Sequence, residues 1–336
     1  MSRYLRLLGL FLLAQACVLV LLLGINGPSN NYMAAVADKS RLLATAPSPR
    51  IVLVGASNLA FGIDSPLLKK GLRGRYHPVN LGLQADLGLR FELNQALAGL
   101  RPGDIVVLSP EYGALWGDLG MNSIVMSALL YQPGAWTYVP RDQRLSLFQR
   151  AFDQPLLLAH DEANLAYVRL RDTALAALGR AKPISNYTRA GFNEYGDQTS
   201  GWNAAGQYAP SPDESAVTTF PSAQVDESAR ALRGFIARCH GEGVAVVYSY
   251  PPIPDDLYRT RKSPIERTSR ILESRLPIPF LNRPADAVFA PGDFLDTPDH
   301  LRGPAVQERT RDLVRDLLSY LATRDPAPGR DDAGGP

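Results

Sequence analysis

The stretch IVLVGASN at residues 51–58 decides the fold. Four consecutive apolar residues, most of them β-branched, predict a strand buried on both faces, which is typical of a parallel sheet. The strand ends at Gly55, and Ser57 follows two residues later. In open α/β sheets, ligand sites lie at the carboxyl ends of the strands. Ser57 is therefore a candidate site residue.

Further runs along the chain repeat this pattern. Apolar strand-like runs occur at residues 77–81, 104–108, 244–248 and, more weakly, 279–281. Between or after them, helical spacing of apolar residues occurs at 67–72, 87–100, 229–239, 264–276 and 305–321. This alternation predicts an α/β fold, a three-layer α/β/α sandwich around a mainly parallel five-stranded sheet.

One long stretch, residues 115–225, interrupts the alternation. It has helical patterns at 144–152 and 165–178 and a glycine-rich segment with the aromatic residues Tyr187, Phe192, Tyr195, Trp202 and Tyr208. We expect an insertion that caps the sheet's carboxyl edge. Its aromatic rings could stack on sugars, although packing within the cap is their commoner use. Arg189 and Asp197 are candidates either for the site or for a salt bridge.

The N-terminus is the clearest local signal. Arg3 and Arg6 precede an apolar run from residue 7 to residue 25, which Gln15 alone interrupts. At about 1.5 Å per residue, this run can cross a hydrocarbon core of roughly 30 Å. The arginines place the N-terminus in the cytoplasm and the rest outside. A cleaved signal peptide is the alternative, with a small-x-small pattern at residues 35–37.

These patterns divide the chain into four parts. We predict a transmembrane signal anchor at 1–25, a tether with a short helix at 26–49, an α/β domain at 50–321 and a disordered tail at 322–336.

The net charge of +2 offers no excess of basic residues for nucleic-acid binding, and two cysteines make no disulfide framework. No pattern for a metal or for a phosphate-binding loop occurs, so we expect neither a metal nor a cofactor.

Ser57 needs a base to become a nucleophile, and His300 is the best of four histidines. A serine hydroxyl attacks once an imidazole takes its proton, and a carboxylate orients that imidazole. His300 has two carboxylates nearby, Asp296 four residues before it and Asp299 beside it. We favour Asp296, because an adjacent side chain rarely folds back onto the imidazole, and Asp299 stays the alternative.

These motifs together resemble the SGNH (GDSL-like) hydrolase superfamily over roughly residues 50–321. Residues 55–58 are similar to its nucleophile block, residues 80–82 (Asn-Leu-Gly) to its glycine block, and the turn before the last helix to its final block. The resemblance implies a flavodoxin-like SGNH fold with Ser57 as nucleophile and His300 as base. It also implies that Gly82 donates its backbone N–H to the oxyanion.

Two departures from the family pattern are informative. The third strand leads into Ser109-Pro110-Glu111-Tyr112-Gly113, where the family has Gly-x-Asn, and an ionised Glu111 has no hydrogen to donate. Asn58, Tyr112 or a protonated Glu111 could replace that donor. We assign Asn58 to the oxyanion site and Glu111 and Tyr112 to substrate contacts. Thr297 stands where the family has its aspartate.

We therefore expect a membrane-anchored enzyme, with its anchor in the inner membrane and its domain in the periplasm. The anchored N-terminus, the insertion with residues 192–197 and Pro251-Pro252 after the fourth strand resemble a membrane-anchored branch of this superfamily that is associated with extracellular polysaccharide or cell-envelope modification. This resemblance implies ester hydrolysis or O-acyl (acetyl) transfer on a polysaccharide or another envelope component. The partners of the enzyme would be an acylated carbohydrate and proteins of polysaccharide assembly. The alternative is a catalytically inactive binding or scaffold subunit of a polysaccharide assembly complex. A lipid-directed esterase is a third interpretation, which only the anchor supports.

Overall fold

A sheet of four parallel strands forms the centre of the fold. This computed structural model describes residues 2–25, 30–117, 122–150, 187–209 and 221–324 and the single positions 163, 167 and 171. The strands are β1 (Arg50–Val54), β2 (His77–Asn80), β3 (Ile105–Leu108) and β4 (Ala245–Tyr248). Their order is β2-β1-β3-β4, and every pair is parallel. The prediction of a mainly parallel α/β fold is confirmed.

The predicted fifth strand does not form, so the five-stranded sheet was wrong by one strand. Phe280 makes a single parallel bridge with Tyr248 instead. The Tyr248 N–H donates to the Pro279 carbonyl at 2.9 Å, and the Leu281 N–H donates to the Tyr248 carbonyl at 2.8 Å. Pro277 and Pro279 have no N–H to donate, and this limits how far a ladder can extend.

Helices cover both faces of the sheet. In chain order, the described helices are α1 (Ser2–Ile25), α2 (Ala35–Thr45), α3 (Ser57–Ala60), α4 (Ser65–Gly71), α5 (Leu89–Leu97), α6 (Tyr112–Trp116), α7 (Asn122–Tyr131), α8 (Arg144–Arg150), α9 (Ser222–Gly241), α10 (Asp255–Arg275) and α11 (Gly303–Arg324). Those with residues in the two clusters against the sheet include α4, α5, α9, α10 and α11. A second, two-stranded parallel sheet pairs β5 (Ile253–Pro254) with β6 (Val288–Phe289). Of the predicted helix at 165–178, only positions 167 and 171 are described, both as helical; the rest lies outside the described residues.

Alternate residues of each strand point into opposite cores, as the period of two requires. On one face, Val52 and Val106 pack with α5, α9 and α10. On the other, Ile51, Leu53 and Val107 pack with α4 and α11. Because β1, β2 and β3 are parallel, the loops that follow them lie at the same edge of the sheet. The candidate site lies at this edge.

The segment predicted as a tether is folded from Asn30 onward. A 3-10 turn at Tyr32–Ala34 leads into α2, and the side chains of Val36, Lys39 and Leu43 are buried. None of the described helices is both long and apolar enough to span a bilayer. At the other end, α11 continues to Arg324, and the predicted disordered tail beyond it lies outside the described residues.

The insertion is fastened to the sheet by the described loop 187–209. Asp197 is fully buried and accepts hydrogen bonds from the Ser65 hydroxyl at 2.7 Å and from the Asn80 side-chain amide at 2.9 Å. Arg189 pairs with Asp38 of α2 at 2.6 Å. Of the two roles open to Arg189 and Asp197, these contacts are structural: a salt bridge and a buried hydrogen-bond network.

Candidate active site

Ser57 begins α3 directly after β1, so its side chain lies at the carboxyl edge of the sheet. The turn is packed tightly on both sides. A Cβ on Gly55 would lie 2.4 Å from the Ser109 carbonyl oxygen, and a Cβ on Gly82 would lie 2.5 Å from the Ala56 carbonyl oxygen. Glycine at these positions lets the ends of β2 and β3 approach the turn that carries Ser57.

Two groups predicted to bind an oxyanion have other partners. The Gly82 N–H donates to the Asn80 side-chain oxygen at 3.0 Å. The Asn58 side-chain amide is fully buried and donates to the Ser109 carbonyl at 3.0 Å. Asn58 therefore presents its backbone N–H, rather than its side chain, to the site.

The Glu111 carboxylate is the direct partner of Ser57. The Ser57 hydroxyl donates to Glu111 Oε1 at 3.0 Å, and the Asn58 backbone N–H donates to the same oxygen at 2.9 Å. Glu111 is 5% exposed. Burial raises the pKa of its carboxyl, while the Asn58 N–H, the positive charge of a protonated His300 and the Ser57 hydroxyl act in the opposite direction. A buried carboxylate thus contacts the candidate nucleophile.

Asp296 and Tyr187 both lie within hydrogen-bond distance of His300 Nδ1. Asp296 Oδ1 lies 2.8 Å from His300 Nδ1, and the Tyr187 hydroxyl, 2.9 Å from the same nitrogen, donates to Asp296 Oδ2 at 2.8 Å. Burial alone would raise the pKa of Asp296, but these hydrogen bonds and the charge of His300 lower it below its usual value. The favoured orienting residue, Asp296, contacts the imidazole, and the Asp299 backbone N–H instead donates to Thr297 Oγ1 at 3.3 Å.

The imidazole packs against the turn that carries Ser57. The His300 ring stacks on Phe61 with ring centroids 4.1 Å apart and an angle of 21° between the planes. The Phe61 N–H donates to the Ser57 carbonyl at 2.9 Å, so Phe61 belongs to that turn. Within the described part of the chain, however, no hydrogen bond joins Ser57 Oγ and His300. The structure brings the two residues to one edge of the sheet without a hydrogen bond between their side chains.

Arg309 of α11 holds the turn that carries Ser57 through hydrogen bonds. It is 8% exposed, and its guanidinium donates to the Asn58 carbonyl at 2.6 Å and to Ser109 Oγ at 3.2 Å. Burial lowers the pKa of Arg309 to about 9, and the negative charges of Asp299 and Glu111 partly offset this. The guanidinium therefore stays charged at neutral pH and ties the loops after β1 and β3 to the last helix.

Tyr112 lies apart from these residues. Its ring is in the core on the α9 and α10 face of the sheet, 5.7 Å from the ring of Trp116. Its hydroxyl is buried without a hydrogen-bond partner among the described residues, and burial raises its pKa. The contacts of Tyr112 are those of a core residue, and none of them joins it to Ser57.

Tyr187 is a site residue whose role the sequence did not reveal. It lies 113 residues before His300 in the chain. Its ring is fixed between Tyr32, at 5.6 Å between centroids, and Phe61, at 5.4 Å. Among the aromatic residues of the insertion, the sequence contains no signal that separates a hydrogen-bonding tyrosine from a packing one.

The remaining surface gives little more chemistry. An open cleft of about 730 Å³, lined in part by Arg90, Arg141, Arg144 and Arg238, includes none of the candidate site residues. Among the described residues, no group of three or more His, Cys, Asp or Glu side chains is arranged to hold a metal ion.

The fold and the site define an α/β protein whose edge serine contacts a buried carboxylate beside an Asp–His–Tyr cluster. No protein-family model matches the chain, and no curated protein matches it.

Proposed function

We propose that this chain is a serine ester hydrolase or O-acyltransferase of the SGNH type, acting on an acylated polysaccharide or another envelope component. Ser57 is its nucleophile. His300, which has Asp296 and Tyr187 on its Nδ1 side, is able to move a proton in the site, and so is Glu111. No step of this chemistry requires a metal or a cofactor.

One observation carries the proposal: the His300 ring, hydrogen-bonded to Asp296, stacks on Phe61 in the turn that carries Ser57. Asp296 and His300 are more than 230 residues away from Ser57 in the chain, as their numbers give. A carboxylate that fixes one imidazole nitrogen leaves the other free for proton transfer. Such a pair beside a serine at a sheet edge can supply proton transfers of the kind that acyl-transfer chemistry uses.

The reaction would have two halves. In the first, Ser57 Oγ bonds to the acyl carbon, its proton passes to a base of the site, and the leaving alcohol takes up a proton. In the second, water or an acceptor hydroxyl attacks the acyl-enzyme and releases Ser57. Hydrolysis and transfer share the first half, and exclusion of water from the site would favour transfer.

The envelope setting rests on the N-terminus. Arg3 and Arg6 before the apolar run at 7–25 support a domain held outside the cytoplasm by an uncleaved anchor. An anchored enzyme would meet polymers as they are exported, which is consistent with an acylated carbohydrate as substrate.

A fluorophosphonate, which reacts with activated serines, tests the activity. The full-length wild-type protein is expected to be labelled on Ser57, and Ser57→Ala is expected to lose the label. Ser319→Ala, which removes an exposed hydroxyl on α11, is the matched control and should be labelled like the wild type. If the wild type stays unlabelled under conditions that label a known esterase, the proposed activity is wrong.

The second candidate function is a non-catalytic binding or scaffold subunit of a polysaccharide assembly complex. It is favoured by the carboxylate of Glu111, which already accepts the hydrogen bonds of the Ser57 hydroxyl and the Asn58 N–H. In this case Ser57→Ala would leave the biological role intact, and no acyl-enzyme would form with activated esters.

A further inference from the structure

Glu111 is the base that the structure places against the candidate nucleophile. Its Oε1 accepts the Ser57 hydroxyl hydrogen at 3.0 Å. Among the described residues, Ser57 Oγ makes no other hydrogen bond, whereas the His300 ring contacts Asp296, Tyr187 and Phe61. A general base must be within hydrogen-bond reach of the proton that it removes. Glu111 meets this requirement directly.

We propose that Glu111 accepts the Ser57 proton, and that His300 separately exchanges a proton with the leaving alcohol and the attacking hydroxyl. This inference rests on the proposed serine-acyl chemistry and changes the way its protons move. The usual arrangement, in which a single histidine serves both the serine and the leaving group, is divided here between two residues.

The proton balance closes over one cycle that begins with Glu111 ionised and His300 protonated. In the first half, the Ser57 proton moves to Glu111 Oε1 while Oγ bonds to the acyl carbon, and His300 Nε2 gives its proton to the departing alkoxide as the ester bond breaks. In the second half, neutral His300 takes a proton from water or from the acceptor hydroxyl. Glu111 returns its proton to Ser57 as the acyl–Oγ bond breaks.

The hydrogen bonds at Glu111 Oε1 are those of an acceptor. Oε1 accepts two hydrogen bonds, from the Ser57 hydroxyl and from the Asn58 N–H, so this oxygen is the acceptor of the site. The observed contacts prepare Oε1 to receive the Ser57 proton.

The charges around Glu111 suit a base that must be ionised at rest yet accept a proton. Burial and the negative charge of Asp86 favour its neutral form, whereas the Asn58 N–H and the charge of a protonated His300 favour the carboxylate. The guanidinium of Arg309, on α11, and the hydroxyl of Tyr32 also interact electrostatically with Glu111. These opposing effects bring the basicity of the Glu111 carboxylate closer to that of the Ser57 oxygen whose proton it takes.

Labelling kinetics separate the two bases. Fluoride leaves a fluorophosphonate without needing a proton, so the labelling rate of the full-length protein reports the deprotonation of Ser57. Glu111→Gln keeps the shape of the side chain but removes the base, and should slow labelling by roughly 10²–10⁴-fold. His300→Gln should slow labelling by less than about tenfold. Glu308→Gln, at an exposed position on α11, is the control and should not change the rate.

A burst experiment with p-nitrophenyl acetate tests the second half of the cycle. Nitrophenolate leaves readily without an acid, so His300→Gln should release one equivalent rapidly and then stall as acetyl-Ser57, detectable by mass. Glu111→Gln should show no burst. The opposite pattern would overturn the inference: a wild-type labelling rate in Glu111→Gln, or a loss of labelling in His300→Gln as large as in Glu111→Gln.

The remaining outcomes are also decisive. If Glu111→Gln fails to fold, as judged by thermal unfolding, the pH dependence of labelling replaces it. The labelling rate of the wild type should rise with pH in one step, and His300→Gln should show the same step. Loss of the step in His300→Gln would overturn the inference. A wild-type protein that is not labelled at all contradicts the proposed function itself. A labelled wild type with a Glu111-independent rate contradicts only the role of Glu111.

Discussion

At the residue scale, Glu111 has a structural consequence as well as a proposed role in catalysis. Its carboxyl is buried, and burial raises its pKa above the ordinary value of 4.5. A carboxyl whose folded pKa is raised stabilises the fold below its ordinary pKa, and this contribution is lost as the pH rises through the folded pKa. Ionisation of Glu111, which the proposed proton transfer needs, therefore lowers the free energy of unfolding.

We predict that Glu111→Gln is more stable relative to the wild type at pH 8 than at pH 5. The amide removes a buried carboxyl whose charged form, disfavoured by burial, becomes more populated as the pH rises. Thermal unfolding of both proteins across this range measures the difference, with Glu308→Gln as the control at an exposed position. A difference in melting temperature that is the same at both pH values would contradict the raised pKa.

Tyr187 gives a second prediction at this scale. Tyr187→Phe removes the hydroxyl that donates to Asp296 at 2.8 Å and keeps the ring that packs on Phe61. A hydrogen bond to a charged group is worth roughly 1.5–3 kcal/mol, so we expect kcat/KM for an alkyl ester to fall about tenfold or more. Tyr138→Phe, on a remote tyrosine, should have little effect. Unchanged kinetics for Tyr187→Phe would show that Asp296 alone orients His300.

The site could be predicted from the sequence only where its residues are local or end a strand. Asp296 and His300 are four residues apart in one turn, and Ser57 follows an apolar strand, so spacing was enough to select them. The contact of Glu111 with Ser57 depends on β1 and β3 being neighbours with a defined register. The placement of Tyr187 depends on the path of a long insertion, which no periodicity describes.

At the scale of elements, α11 holds the turn that carries Ser57 through Arg309. The guanidinium is the hydrogen-bond donor to the Asn58 carbonyl, and a Cβ on Gly62 would lie 2.3 Å from Arg309 Nη1, so helix and turn are in close contact. Removing one partner of a buried charged network leaves the others unsatisfied. The last helix is therefore part of the support of the site.

We predict that Arg309→Ala destabilises the fold by roughly 3 kcal/mol, because the Asn58 carbonyl loses its charged donor and a buried space opens. Chemical denaturation measures the loss. Arg311→Ala, two residues further on the exposed side of α11, should change stability by less than about 0.5 kcal/mol. Equal effects of the two substitutions would mean that the buried contacts of Arg309 contribute nothing.

The regular elements were predictable because burial on both faces and helical spacing leave strong sequence patterns. All four strands of the main sheet lie within the apolar runs or overlap them, and α11 covers the predicted helix at 305–321. The weak run at 279–281 failed as a strand because prolines remove the donors that a ladder needs. Small contacts such as β5 with β6 involve two residues each and leave no pattern of their own.

At the scale of the whole molecule, Lys39 joins three parts that are distant in sequence. It lies on α2, in the segment predicted as a tether, and its ammonium donates to the Asn80 carbonyl at the end of β2 at 3.1 Å. It also donates to the Gly196 carbonyl in the insertion at 2.7 Å and lies 4.4 Å from the centre of the Phe192 ring. The polar composition of residues 26–49 concealed this packing, because one buried lysine resembles a solvent-exposed one in sequence.

The titration of Lys39 makes this assembly testable. Burial lowers its pKa from 10.5 to about 7, and the negative charges of Asp197 and Asp38 offset only part of the effect. Between these two values the unfolded chain binds a proton that the folded chain does not, so this residue makes stability rise with pH. The free energy of unfolding of the wild type, minus that of Lys39→Met, is therefore expected to increase from pH 7 to pH 10. Lys70→Met, at an exposed lysine on α4, should give a flat difference over the same range. A flat difference for Lys39→Met as well would mean that the ammonium is solvated, and that α2 is not packed between β2 and the insertion.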